Sequence, residues 1–191
     1  MKTKFTLFIL SIFVLSSCTN IMFETSVPKD VEVISQFPKE LIGIYSDGKT
    51  DTLTITKKTF KYGKSKKSTL IAGSLDKEES ELRKLNDFYY LNLRDEGDEY
   101  WTVFPFQLSD DGLDAYYIVM ETLIERLDTT KSSKEREMEV IESMNKITKV
   151  KVIEKPNSDE KNYLINPTNQ ELEELMQQGF FVKLGGFKRL K

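Results

Sequence analysis

From residue 38 onward the chain alternates apolar and polar positions with period 2, then changes to period 3.6 near residue 120. Leu41-Ile42-Gly43-Ile44-Tyr45 is apolar and β-prone, and Ser46-Asp47-Gly48 closes it with turn chemistry. Leu53 and Ile55 then alternate with Thr52, Thr54 and Thr56, the pattern of a half-buried strand. Lys57-Lys58 turns this strand into Thr59-Phe60-Lys61-Tyr62, which predicts a hairpin. Residues 68–75 predict a fourth strand. Residues 76–86 are charged, and Leu82 and Leu85 are spaced for one face of a short helix.

The densest β signal lies in residues 88–93, 100–106 and 115–119, joined by turns at Glu96-Gly97-Asp98 and Asp110-Asp111-Gly112. Aromatic residues come in adjacent pairs there, and adjacent strand residues point to opposite faces. Tyr90, Phe104 and Phe106 are expected on one face, with Tyr89, Leu91 and Trp101 on the other, so both faces are apolar. Either helices cover the second face or one face lines a cavity. Pro105 cannot donate to a ladder and predicts an edge or a bulge.

Met120, Leu123, Ile124 and Leu127 form one helical stripe, and Val140, Ile141, Met144 and Ile147 form a second behind a capping box of Ser132 and Glu135. Residues 149–154 and 162–165 predict a late hairpin around Pro156-Asn157-Ser158-Asp159. A further capping box, Thr168 with Glu171, opens a helix that buries Leu172, Leu175 and Met176 and ends at Gly179. Residues 180–190 return as a final strand.

The N-terminus follows different rules. Lys2 and Lys4 precede an uninterrupted apolar run at residues 5–15, too short for a membrane core that needs about 20 residues. This is the layout of an export signal over residues 1–17. Leu15-Ser16-Ser17-Cys18 resembles the lipobox of bacterial lipoproteins at all four positions. The resemblance implies a diacylglycerol on the Cys18 thiol, cleavage just before it and acylation of the new amine. Two or more acyl chains hold a protein stably on a membrane, where one does so only marginally. Thr19 is not Asp, which in such lipoproteins goes with sorting to the outer membrane; the side of that membrane stays open.

Residues 18–37 mix polar, Pro and charged residues without a period and are expected to be a tether. Such a tether would reach roughly 60 Å extended and average about 25 Å. Residues 31–34 are a candidate short docking strand, and residues 38–191 are expected to form one globular domain.

Composition narrows the chemistry. With no histidine, Ser-His-Asp and Cys-His nucleophiles, imidazole bases and His-ligated zinc are excluded. With Cys18 used for lipid, no cysteine is left for a disulfide, so packing alone must hold the fold. Residues 18–191 carry a formal charge of −5, two lysines more negative than the −3 of the whole chain. A mildly acidic chain of mixed sign lacks the basic stripe of nucleic-acid binders.

Strands followed by helices predict an α+β fold: a mainly antiparallel, barrel-like sheet with two or three amphipathic helices, one near the C-terminus. Gly43-Ile44-Tyr45 is similar to the Gly-x-Trp of lipocalins, and the helix over residues 168–178 to their C-terminal helix. Tyr45 replaces the Trp of that pattern, and residues 120–148 have no counterpart in that fold.

Tyr89, Tyr90, Trp101, Tyr116 and Tyr117 are the candidate ligand-lining residues, suited to stack on a sugar or line an apolar pocket; packing in a core is the plainer alternative. Acids cluster at Asp95, Glu96, Asp98 and Glu99 and at Asp110, Asp111 and Asp114, without the ligand spacing of a calcium loop. No metal or cofactor is expected. The leading expectation is a membrane-tethered binding or structural module. The alternatives are a carboxylate-based hydrolase of envelope glycans and an interaction module acting through the helices.

Overall fold

The computed structural model describes residues 20–65, 68–154 and 161–190. The export signal, Cys18 and the turn at residues 156–159 lie outside them. Among the described residues twelve strands and three helices follow one another as β1 (Asn20–Phe23), β2 (Gly43–Ser46), β3 (Thr52–Ile55), β4 (Thr59–Ser65), β5 (Ser68–Ser74), β6 (Ser80–Leu85), β7 (Phe88–Leu93), β8 (Thr102–Ser109), β9 (Gly112–Tyr117), α1 (Met120–Glu125), α2 (Ser133–Asn145), β10 (Val150–Glu154), β11 (Lys161–Ile165), α3 (Asn169–Gln177) and β12 (Val182–Leu190). A 3-10 turn, Lys39–Leu41, precedes β2. Nine strands form one antiparallel sheet in the order β5-β4-β3-β2-β12-β9-β8-β7-β6, nearly closed into a barrel. This is the barrel-like α+β architecture that the sequence predicts.

The two edges, β5 and β6, meet at a seam. There Gly73 lies so close that a Cβ would stand 2.5 Å from a Phe60 ring carbon and 2.9 Å from Ser80 Oγ, so only glycine fits. Tight hydrogen bonds, Lys77 N to Ser74 O (3.1 Å) and Ser80 N to Lys77 O (3.2 Å), turn the chain from one edge to the other. Residues 80–85 are thus a strand, not the helix expected from Leu82 and Leu85. Two apolar residues three apart also fit a strand when only one of them must face inward, and pairing with β7 along its whole length decides between the two.

The expected tether is also corrected. β1 pairs in parallel with β11, Asn20 opposite Asn162 through Phe23 opposite Ile165, and β10 completes this separate three-stranded sheet. Ile21, Phe23 and Val27 are buried, and Val27 is clamped by Asn92, whose Oδ1 accepts from its N–H and whose Nδ2 donates to its carbonyl, both at 2.8 Å. Ile34 donates to Leu82 O on the edge of β6, and Phe37 donates to Lys57 O across the barrel end. Burying those apolar side chains outweighs the freedom of a loose segment.

Two cores result. An outer one lies between β7–β9, the three-stranded sheet and the helices, and contains Tyr90, Trp101, Val103, Met144, Leu172 and Leu175. An inner one fills part of the barrel, with Phe37, Tyr45, Phe60, Leu82, Tyr89, Phe106 and Leu113. Register corrects the expected sorting of aromatics: Tyr89 faces Phe106 and Leu91 faces Phe104 across β7 and β8, so these four share the inner face while Tyr90 turns outward. Alternation fixes parity within a strand, but only register fixes it between strands. Pro105 stands where the β8–β9 ladder, which begins at Phe106, has ended. Both predicted capping boxes, at Ser132 with Glu135 and Thr168 with Glu171, are formed.

Candidate functional site

One end of the barrel is plugged. Tyr45, fully buried, donates its hydroxyl to Leu41 O at 2.8 Å and accepts from Arg189 Nη2 at 2.7 Å. The Arg189 guanidinium also lies over the Tyr45 ring, 5.2 Å from its centroid, and donates to Ile42 O at 3.1 Å. Last strand, first barrel strand and 3-10 turn are thereby fixed to one another.

Above the plug the inner face does not fill completely. A cavity of about 130 Å³ remains, walled by the rings of Phe37, Phe60, Tyr62, Phe104, Phe106 and Phe187 and by aliphatic side chains from β3, β5, β7 and β9. None of its lining residues is charged. Tyr62 contributes the one hydroxyl, which is turned to Asp47 Oδ2 at 3.1 Å, while its ring meets Phe187 edge-on at 5.6 Å. Burial, reinforced by the Asp47 carboxylate, pushes the Tyr62 phenol above its usual range. The backbone N–H of Lys49 foremost, with that of Asp51 and the Tyr62 hydroxyl, holds Asp47 below the usual carboxylate range. A β-bulge between Lys183 and Gly185 sets Leu184, half exposed, at the cavity rim.

At the seam a larger cleft of about 650 Å³ opens between residues 70–74 of β5, the turn into β6 and the β7–β8 connection. Ile71 and Phe104 line both cleft and cavity, so the two adjoin through these side chains. Polar and charged groups line the cleft: Lys77, Glu79, Ser80, Arg94, Asp95, Glu96 and Asp98. Arg94 is held with its guanidinium 4.4 Å above the Trp101 ring.

No protein family, curated protein or solved structure matches this chain. Its possible chemistry therefore rests on the geometry. Apolar walls around a small volume favour an apolar guest.

The five aromatic residues singled out in the sequence are dispersed. Tyr89 faces inward but is packed, stacked on Phe106 at 5.5 Å with its hydroxyl on Glu40 Oε1 at 3.1 Å. Tyr117 stacks on Phe104 at 5.0 Å, behind the cavity wall. Tyr90 and Trp101 belong to the outer core. Tyr116 meets Phe88 edge-on at 5.7 Å and accepts a hydrogen bond from Gln107 at 3.2 Å. None of the five lines the cavity itself; the lining comes mainly from hairpin β3–β4, from Phe37 and from Phe104, Phe106 and Phe187. The available signal was the apolar alternation Leu53, Ile55, Phe60, Tyr62, which marks one face of that hairpin.

Asp95, Glu96 and Asp98 stand on the rim of the cleft, whereas Asp114 pairs with Lys183 at 2.7 Å and Asp111 with Lys188 at 3.3 Å. Among the described residues no three acidic side chains converge as a metal site, and no helix is long and apolar enough to cross a membrane.

Proposed function

We propose that the protein is a lipid-anchored lipoprotein of the outer membrane whose barrel binds an apolar molecule. The observation that carries the binding reading is the cavity: about 130 Å³, walled by aromatic and aliphatic groups, without a charged residue in its lining. A glycan hydrolase would need two carboxyls facing each other across a sugar, roughly 5 to 10 Å apart. Among the described residues, no carboxyl lines the cavity. The anchor reading rests on Leu15-Ser16-Ser17-Cys18 behind its basic and apolar leader.

Binding is tested by titrating the chain beginning at Asn20 with fluorobenzene, small enough for about 130 Å³, following its fluorine NMR signal and displacing it with benzene. A saturable bound signal that Ala115→Leu abolishes is the expected result, because Ala115 lines the cavity. A bound signal that Ala115→Leu leaves unchanged would place the guest elsewhere and reject the reading. For the anchor, Cys18→Ser is expected to leave uncut precursor in the aqueous phase of a detergent partition.

A further inference from the structure

We infer that the seam cleft faces the bilayer and is the route by which an apolar molecule passes between membrane and barrel. The inference rests on the lipid anchor and the apolar-ligand reading proposed above. Its geometric basis is how soon the fold begins. Asn20 is already in register with Asn162, and Ile21 is buried. An extended chain covers at most about 3.6 Å per residue, so a lipid on Cys18 would be held within about 7 Å of Asn20. No tether remains to swing the domain away.

Met22, two residues further, lines the seam cleft, which puts that cleft within about 14 Å of the lipid-bearing residue along the chain. Phe23 and Trp101 exchange both backbone hydrogen bonds, at 2.8 and 2.9 Å, which fixes β1 to the start of β8 beside the cleft. Leu70, on the cleft wall, is 64% exposed although it belongs to a sheet edge. Through Ile71 and Phe104 the same cleft adjoins the apolar cavity. Ser80, only 7% exposed, also lines the cleft. Glu79, Asp95, Glu96 and Asp98 outnumber Lys77 and Arg94 around it, so charge would not draw the cleft to an anionic surface. The short link, rather than electrostatic attraction, does the seating.

Once Cys18 carries its thioether, a cysteine introduced elsewhere is the sole free thiol. Leu70→Cys and Leu108→Cys, each carrying a fluorophore, are compared in the lipidated protein on phosphatidylcholine vesicles doped with brominated lipid. Leu108 is also exposed but sits six residues along β8 from Thr102, about 20 Å away. Quenching several-fold stronger at position 70 is expected, and a flexible Gly/Ser insertion of about 20 residues before Asn20 should erase the difference. Equal quenching in protein that still partitions into detergent overturns the seating and leaves the anchor intact. Partition into water instead removes the anchor, and the inference with it.

The route is tested by following fluorobenzene from vesicle to protein by fluorine NMR. Thr102→Trp, in the cleft, should slow transfer several-fold without changing the final amount bound, whereas Leu108→Trp should not. Unchanged transfer in Thr102→Trp overturns the route even if binding itself is confirmed.

Discussion

On the outer face of β7, β8 and β9, Tyr90, Trp101 and Val103 are covered by β1, β11 and the helices until little space remains; on the inner face, Leu91, Phe104 and Phe106 look into a cavity. The same strands therefore serve two purposes, one per face. The filled face holds the molecule together, because close-packed interiors lose dispersion contacts wherever atoms are removed. The unfilled face gives up part of that packing and gains room for a guest.

The sharpest break in this comparison would come from truncation. Leu175→Ala, in the outer core and fully buried, should cost about 2 to 5 kcal/mol in denaturant unfolding, and Leu53→Ala at the cavity wall clearly less. Equal losses would mean that the inner face is packed as tightly as the outer. Next in size is the clamp on the outer face. Asn92→Ala strips both the N–H and the carbonyl of Val27 of partners, an expected loss of about 1 to 3 kcal/mol with faster amide exchange at Val27.

Overfilling gives a smaller and asymmetric effect. Val103→Phe should destabilise by about 1 to 3 kcal/mol, while Ala115→Leu, which has a void to enter, should change the unfolding free energy by under about 1 kcal/mol. The smallest effect is alkaline. Burial foremost, then the Glu173 charge, raises Tyr90 above the ordinary 10.0, and Tyr62 is raised less. These phenols favour the folded state in their neutral form, so their contribution is fully present below pH 10 and is lost as the pH climbs through the raised folded values. Carbon NMR of the tyrosine rings should show Tyr62 ionising before Tyr90.

What could be read from the sequence was local. Capping boxes at Ser132 and Thr168 depend on residues three apart, and Leu53 with Ile55 on residues two apart, so each was legible and each is formed. β6 was not, because its inward positions are Ser80 and Leu82 and only one of them is apolar. β1 offered Ile21 and Phe23 as a faint alternation, but its partner lies in β11. The cavity was the least legible feature. It depends on the register that sets Tyr89 against Phe106, on a bulge at Leu184 and on Phe37 arriving from outside the sheet, and none of these is a property of neighbouring residues.

The parallel pairing of β1 with β11 also sets an order in time. A strand near the start of the chain waits for a partner near its end, and closing so long a loop is a late step in folding. During synthesis residues 20–23 therefore lack their parallel partner until position 165 has emerged, although Phe23 can bridge Trp101 earlier.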